Sequence, residues 1–511
     1  MNKTTRTAAQ TAVLMAILTL ISKAFGFVRE MVMANYFGTT YITDAYVMAF
    51  AIPMIIFGGI FASVATAYMP LFSRITENDG EKAGSKYTSE VVNLLLVVSI
   101  LAAIIGIIFS NQIVSIFASG FSGETARLTS FFTKVTFCYV LFTSIAGILE
   151  AYLQYKGTFL VQIVLGYIQN IIVIAVIIIS AFTSHYYLAF GWLLAHITRA
   201  TILGFIAKKK GFKYSPVFKM DETVKRIITI ALPVFIASGI MQINTFVDKT
   251  LASGLAEGSV AALNYGMILV GLITGLTISI LTTILYPKLN QANSLQDFDR
   301  FSDIIGTGMT LVAIVAIPCS LGVMIYSGQI VQIVYERGVF DPLATSMTGS
   351  AFFYYSMGLL FMSLNDLMIR AYYSMHDMRT PMIFAEIGVI INITLNLILI
   401  QFMGLSGLAL ATSIAAMANT GMLFIGMKKK YPHVILMRSK RKLLKITVAA
   451  LVAVVSSYLV YIFVVMPMAD VIYMRVVQLG IPVAVAIVVY FGMLVMFRIE
   501  ELGMIRGIVK R

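Results

Sequence analysis

The segment Val28-Arg-Glu-Met-Val-Met-Ala-Asn-Tyr-Phe-Gly38, which continues to Thr43-Asp-Ala-Tyr46, recurs about 220 residues further along the chain. Its second copy begins at Val247-Asp-Lys-Thr-Leu-Ala-Ser-Gly254 and ends at Leu263-Asn-Tyr265, and the two copies align without a gap. A similarity at a fixed long offset indicates an internal repeat, whereas a chance match between apolar helices is not expected to recur elsewhere at the same offset.

Two later pairs of segments keep nearly the same offset. Thr66-Ala-Tyr-Met-Pro70 resembles Thr283-Ile-Leu-Tyr-Pro287, and Glu150-Ala-Tyr152 resembles Arg370-Ala-Tyr372. The offset contains about six helices, and an even number of spans makes two repeats parallel copies. Transporters built in this way bind substrate near the membrane midplane between the halves and alternate access by rocking them.

The composition identifies a membrane protein. Of 511 residues, 59% are hydrophobic and 12% are charged, and the mean hydropathy is +0.92. A membrane-spanning helix needs about 20 apolar residues. We therefore predict an all-α polytopic protein in which two parallel six-helix repeats form N and C lobes around a central cavity and two further helices follow. The fourteen predicted spans are 9–34, 43–73, 88–118, 126–155, 158–182, 186–207, 225–254, 259–287, 304–333, 343–375, 380–402, 405–427, 443–466 and 471–497.

Basic residues concentrate in alternate loops, which predicts both termini on the cytoplasmic side. The formal net charge of +14 therefore reflects membrane topology and predicts no nucleic-acid partner. The richest basic loops, 208–226 and 428–445, predict binding of anionic membrane lipids. They divide the chain into an N lobe (1–210), a C lobe (211–430) and a C-terminal part (431–511).

Three charged residues, Lys23, Arg29 and Glu30, lie within the first apolar span. A cation at the bilayer centre costs about 2.5–3.5 kcal/mol on insertion scales, so it is retained when it faces a hydrated cavity or a partner. Two cations there predict a site for an anionic ligand. The alternative is that both are anchors whose charges reach the membrane interface.

Oxygen-bearing side chains occur in later spans, namely Asp248, Asn392, Asn396 and Thr412. Asn392 and Asn396 are four residues apart and share one helix face. Carboxylate, amide and hydroxyl oxygens bind hard cations, so this set could hold Na⁺. Hydrogen bonding between helices explains the same residues equally well.

The sequence shows no constellation typical of an enzyme. It contains no HExxH, no glycine-rich phosphate loop, no GxSxG and no long loop outside the predicted spans. We therefore predict a transporter, with no catalytic residues.

Four segments resemble the MurJ family of lipid II flippases, and the similarity runs through the first twelve spans. They are residues 22–46, residues 242–265, Tyr335-Glu-Arg-Gly-Val-Phe-Asp341, and Arg370-Ala-Tyr-Tyr-Ser-Met-His-Asp-Met-Arg-Thr-Pro381. The resemblance implies the multidrug/oligosaccharidyl-lipid/polysaccharide exporter fold, with a cationic cavity and a groove for the polyprenyl tail at the last two spans.

The resemblance also implies residue roles. Lys23 and Arg29 match pyrophosphate-binding positions, with Lys23 standing where the family usually has Arg. Glu30 and Asp44 match gating positions. The residues that match a sodium site are Asp248, Asn392 and Thr412, with Asn396 in place of a usual Asp.

Two arginines that commonly occur in the family's cavity are missing from this chain. Pro53-Met-Ile-Ile-Phe57 lacks the first, and Tyr265-Gly-Met-Ile268 lacks the second. The cavity is therefore predicted to be less cationic than in most relatives.

These observations predict a flippase in the bacterial cytoplasmic membrane that moves an undecaprenyl-pyrophosphate-linked glycan, in the first instance lipid II, to the outer leaflet. The expected partners are this substrate and anionic lipids, Na⁺ is the candidate coupling ion with no other cofactor, and a monomer is the expected state. The alternatives are a flippase for another polyprenyl-linked polysaccharide unit and a drug/cation antiporter of the same superfamily.

Overall fold

A computed structural model describes residues 3–216, 242–280, 285–436, 440–466 and 472–503, together with residues 227, 229 and 231. These residues form α-helices without any strand. The helices are α1 (Lys3–Phe37), α2 (Tyr41–Ile108), α3 (Ser110–Phe117), α4 (Gly123–Tyr155), α5 (Leu160–Phe182), α6 (Leu188–Lys209), α7 (242–253), α8 (Ser259–Ile280), α9 (Tyr286–Ser294), α10 (Phe298–Tyr335), α11 (Pro342–Ser374), α12 (Arg379–Met403), α13 (Leu405–Lys430), α14 (Lys440–Val460) and α15 (Ile472–Met496).

The predicted class is confirmed, because the chain is an all-α protein with many apolar helices. Within the described ranges, ten helical segments have the length and hydropathy needed to cross a membrane. Most predicted spans agree with a helix to within a few residues; 343–375, for example, corresponds to Pro342–Ser374. About half of the predicted span 225–254 lies outside the described residues, and its described second half includes α7.

Helix α2 contains two predicted spans, 43–73 and 88–118. The hydroxyl groups of Tyr68 and Thr88 are 2.7 Å apart, although twenty residues of straight helix would separate them by about 30 Å. The chain therefore reverses direction between them. The break is at Gly80, where φ is +83° and ψ is 173°, a backbone conformation that suits glycine.

The described chain divides into two compact units. Unit 1 runs to Ala261 and includes Arg337–Phe340, and unit 2 comprises Ala262–Glu336 and the residues from Asp341 onward. In unit 1, α4 packs against α2 and α6, and α5 packs against α1 and α6. In unit 2, α11 packs against α10 and α13, α12 packs against α13, and α14 packs against α10 and α15. The three-part division predicted from the basic loops stays a prediction.

The two units contain similar hydrogen bonds from a tyrosine hydroxyl to a backbone carbonyl. Tyr152 of α4 donates its hydroxyl to the carbonyl of Lys210, 3.2 Å away, just after α6 ends. Tyr372 of α11 donates to the carbonyl of Leu423 in α13, 2.9 Å away. The two tyrosines are equivalent in the predicted repeat, so equal sequence positions form similar contacts.

A buried carboxylate holds together one end of unit 2, outside the spanning helices. Asp377 accepts hydrogen bonds from Lys430 at 2.7 Å, from the Thr380 hydroxyl at 2.7 Å and from the Tyr431 hydroxyl at 3.2 Å. Burial alone would raise the pKa of Asp377, but the hydrogen bonds from Lys430 and Thr380 outweigh it and hold the pKa below its usual 3.8. The folded protein therefore favours the charged form.

We expect Asp377→Asn to lower the thermal stability of the purified protein at neutral pH. Because the folded-state pKa lies below the unfolded value, the stabilisation is complete above pH 3.8 and disappears as the pH falls through the folded value. Unfolding temperatures of both proteins between pH 7 and pH 3 measure this difference. If the difference in unfolding temperature between the two proteins grew as the pH fell, the proposed role of the charged Asp377 would be contradicted.

Candidate functional site

The predicted anion-binding residues lie on α1, where this helix packs against α5. Tyr167 of α5 donates its hydroxyl to the carbonyl of Leu18, 2.6 Å away. A β-carbon at Gly166 would lie 3.0 Å from the Ser22 hydroxyl oxygen, so glycine at this position permits the close approach of the helices. This contact determines which face of α1 is turned toward α5.

Two side chains hold the Arg29 guanidinium. Its Nε donates to Oε1 of Glu30 at 3.1 Å, its Nη2 donates to the same oxygen, and its Nη1 donates to Oδ1 of Asn170 at 2.9 Å. The Asn170 amide is fixed in turn, because its Nδ2 donates to the carbonyl of Gly166 at 2.9 Å. These bonds use three of the five guanidinium N–H groups, which leaves two for a ligand.

The guanidinium also lies over the face of Trp192, with 4.7 Å between Cζ and the ring centroid. Trp192 stacks on His196 at 5.8 Å, and His196 stacks on Tyr139 at 4.9 Å. A cation over a tryptophan face gains about 0.5–2 kcal/mol. Asn170 and Trp192 are absent from the predicted site; the one tryptophan of the chain was the available signal for the latter.

Lys23 differs sharply from Arg29. Its side chain is exposed, and it has no hydrogen-bond or ion-pair partner among the residues that the structure describes. Lys23 and Glu30 are seven residues apart on α1 and so share one helix face. Because Glu30 compensates the charge of Arg29, Lys23 carries the uncompensated positive charge of this part of α1.

Glu30 and Asp44, the two predicted gating residues, occupy different places. Glu30 is the ion-pair partner of Arg29, and the two side chains are 15% and 19% exposed. Asp44 is 2% exposed and lies in the first turn of α2. Its Oδ2 accepts the N–H of Gly258 at 2.6 Å and its Oδ1 accepts the N–H of Ala261 at 2.8 Å. Asp44 therefore caps the start of α8 from more than 200 residues away.

Close backbone contacts surround this cap. The N–H of Tyr41 donates to Oε1 of Glu257 at 2.8 Å. A β-carbon at Gly258, whose φ is +85°, would lie 2.1 Å from the carbonyl oxygen of Thr39. The N–H of Val339 donates to the carbonyl of Asn35 at 2.9 Å. We call residues 35–44, 254–261 and 337–340 the loop cluster; they form one packed end of unit 1.

A second partly buried ion pair lies elsewhere in unit 1. Arg199 of α6 pairs with Glu150 of α4 and donates from Nη1 to Oε1 of Gln169 on α5, 2.5 Å away. These residues join three helices and compensate one another's charges. This pair has no counterpart among the predicted site residues, and its geometry suits helix packing.

Three of the four predicted sodium ligands form one hydrogen-bonded chain in unit 2. Asn396 donates from Nδ2 to Oδ1 of Asn392 at 2.8 Å, and Asn392 donates from Nδ2 to Oγ1 of Thr412 at 3.4 Å. These neutral groups bond to one another and do not by themselves balance a cation's charge, so we derive no transport step through Na⁺. The fourth residue, Asp248, lies on α7 in unit 1.

The fold matches solved structures. A structure described as "Lipid II flippase MurJ, inward closed conformation" has a TM-score of 0.82 at 24% identity and covers 95% of this chain and 99% of its own. An inward-facing multidrug resistance MATE family transporter of the MOP superfamily has a TM-score of 0.67 at 12% identity, over 83% of this chain and all of its own. At these identities the structures establish the fold.

Sequence relatives establish the family. A probable lipid II flippase MurJ of Rhizobium meliloti is 30% identical over 420 residues, which are 80% of this chain and 78% of the relative. The lipid II flippase MurJ of Burkholderia cenocepacia is 25% identical over 429 residues, 81% of this chain and 82% of the relative. The family model "Lipid II flippase MurJ" matches residues 33–499. This chain is therefore a multi-pass membrane protein that belongs to the MurJ family of lipid II flippases.

Proposed function

We propose that this protein moves lipid II from the inner to the outer leaflet of the cytoplasmic membrane and that Lys23 and Arg29 bind the diphosphate. Membership of the MurJ family supports the reaction. The observation that carries the site is the arrangement on α1, where an unpartnered cation lies six residues, about 1.7 helical turns, from a guanidinium that keeps two free N–H groups.

Lys23 makes the first contact. Its ammonium group has no partner to lose, so binding a phosphate does not first require the breaking of an existing bond. Arg29 is already oriented by Asn170 and Trp192, which reduces the entropy lost when it binds a second phosphate oxygen. Charge-assisted hydrogen bonds of this kind are about twice as strong as neutral ones.

Glu30 makes the site responsive to substrate. While Glu30 pairs with Arg29, the three residues Lys23, Arg29 and Glu30 together carry one net positive charge. A diphosphate carries more than one negative charge. When Arg29 binds a phosphate, Glu30 is repelled and leaves the guanidinium. Release of Glu30 is therefore our proposed link between headgroup binding and conformational change.

Asp44 keeps the loop cluster closed until that change occurs. Its two bonds to the start of α8 join segments far apart in sequence, and opening this end of unit 1 must break both. The positive-inside prediction places both termini in the cytoplasm and the loop cluster at the outer face. Asp44 thus serves as the outer gate of the proposed cycle.

The polyprenyl tail is accommodated by unit 2. A cavity of about 470 Å³ lies between α10, α14 and α15, and its walls are apolar apart from a few hydroxyl groups. Gly322, Tyr326 and Tyr490 are among its lining residues. A hydrocarbon chain that enters this groove keeps its apolar surface out of water while the headgroup crosses.

We expect Gly322→Leu to weaken transport by filling this groove. A β-carbon at Gly322 meets nothing within 4 Å, so the larger side chain enters the cavity rather than straining the helix. The apparent KM for lipid II should rise several-fold. Gly421→Leu is the matched control, since Gly421 also has open space around its Cα and does not line the cavity. Equal KM values for the two variants would contradict the proposal that the polyprenyl tail binds in this groove.

Reconstituted protein tests the function directly. Vesicles that contain lipid II, or another undecaprenyl-pyrophosphate glycan, report which headgroup reaches the opposite leaflet. We expect transport of lipid II that depends on Lys23 and Arg29. Preferential transport of a different polyprenyl-linked glycan would reassign the substrate, and transport of cationic drugs alone would favour the antiporter alternative.

A further inference from the structure

We propose that unit 1 contains a specific binding site for an anionic glycerophospholipid of the inner leaflet, separate from the lipid II site. The site is a cavity of about 810 Å³ between the second half of α2, α4 and α6. The sequence predicted that anionic lipids bind the basic loops, but it did not identify a pocket for them. This cavity combines an apolar interior with a basic rim.

The interior suits an acyl chain. It is lined by Leu96 of α2, Phe142 and Ile145 of α4, and Gly204 of α6, all of which are partly exposed rather than sealed in the core. A volume of about 810 Å³ is within the usual range for ligand pockets. When a hydrocarbon chain covers this open apolar surface, the free energy of the complex falls.

The rim suits a phosphate headgroup. Lys208 at the end of α6 and Lys213 in the following loop both line the cavity, and both side chains are exposed. Neither has an ion-pair partner among the described residues. Their position after α6 places them at the cytoplasmic face by the positive-inside pattern, where anionic headgroups are found.

The loop that carries Lys213 is fixed in position. The Tyr214 hydroxyl donates to Oδ1 of Asn93 at 2.6 Å, and Asn93 donates from Nδ2 to the carbonyl of Ser215 at 3.0 Å. The N–H of Ser215 donates to the hydroxyl of Ser89 at 3.0 Å. These bonds tie residues 214 and 215 to α2, so the basic rim is held over the cavity before any lipid arrives.

Lipid binding to the purified full chain tests the site. Native mass spectrometry with added phosphatidylglycerol or phosphatidylcholine measures the apparent Kd for each lipid. We expect tighter binding of phosphatidylglycerol, and a loss on the order of tenfold in the variant with Lys208→Gln and Lys213→Gln. The matched control is Lys82→Gln with Lys288→Gln, which removes two exposed lysines that lie outside both basic loops and do not line this cavity, and it should leave this Kd unchanged.

A second variant separates the pocket from general surface charge. Gly204→Leu fills the cavity and keeps every lysine, and a β-carbon at Gly204 meets nothing within 4 Å, so the helix should tolerate it. We expect it to weaken phosphatidylglycerol binding as well, whereas Gly147→Leu on α4, also in open space, should not. The proposal fails if either binding-site variant retains the wild-type Kd, if the lysine control weakens binding equally, or if the two phospholipids bind equally well. Tighter binding of undecaprenyl phosphate than of phosphatidylglycerol would also overturn it, because the occupant would then be a polyprenyl lipid.

Discussion

Alanine at both Lys23 and Arg29 is expected to abolish lipid II export and to prevent growth of cells that depend on this protein. Each residue is proposed to form a charge-assisted contact to the diphosphate, worth about 1.5–3 kcal/mol. Loss of both should lower transport at limiting substrate on the order of 100-fold or more. Lipid II translocation in vesicles, with equal amounts of each protein, measures the effect.

The single variants separate binding from folding. Lys23 has no partner in the described structure, so Lys23→Gln should reduce transport and leave the unfolding temperature unchanged. Lys23→Arg keeps the charge and should retain transport. Arg29→Ala also leaves Glu30 without its cation, so it should lower stability as well.

The control is Lys134→Ala, which removes another exposed cation from a spanning helix of the same unit. It should retain transport. Normal growth and undiminished export in the variant without Lys23 and Arg29 would refute the assignment of the diphosphate site.

Hydropathy predicted the helices because the membrane requires long apolar segments. Helix α11 shows this well, since Asp341 caps it, Pro342 begins it and the prediction missed each end by one residue. The reversal inside α2 was less visible. Residues 74–79 are mostly polar yet remain helical, and Gly80 alone breaks the helix.

The site was predictable only in part. Charges within an apolar span are conspicuous, so Lys23, Arg29 and Glu30 could be identified before their environment was known. The hydrogen-bond partners that these residues find on other helices could not be identified from the sequence. Asn170 is 141 residues from Arg29, and an asparagine in a membrane helix usually indicates helix packing. Which helix faces meet depends on tertiary packing, which hydropathy does not encode.

Asp44 illustrates the same limit more strongly. The family resemblance suggested a gating role for Asp44, but it did not show that the Asp44 carboxylate accepts hydrogen bonds from the backbone N–H groups of Gly258 and Ala261. Every residue except proline has a backbone N–H group, so the sequence does not show which of these groups will donate to a given side chain. The one local signal is Gly258, whose positive φ and close approach to Thr39 exclude a side chain.

Asp44→Asn is expected to open the loop cluster and to impair export. The carboxylate accepts one N–H with each oxygen, whereas an amide places an NH₂ group against one of these donors and removes the charge that favours a helix start. A hydrogen bond to a charged group contributes about 1.5–3 kcal/mol, so the backbone N–H groups of residues 258 and 261 should exchange with solvent about 10- to 100-fold faster.

Asp341→Asn separates gating from ordinary helix capping. Asp341 accepts the N–H of Ala344 at 2.7 Å at the start of its own helix, so this cap connects no distant segments. We expect this variant to speed exchange at Ala344 and to preserve lipid II export, while Asp44→Asn reduces export at equal protein amounts. If Asp44→Asn left exchange at residues 258 and 261 unchanged, or if it exported lipid II as well as Asp341→Asn, the carboxylate would be a helix cap and not a gate.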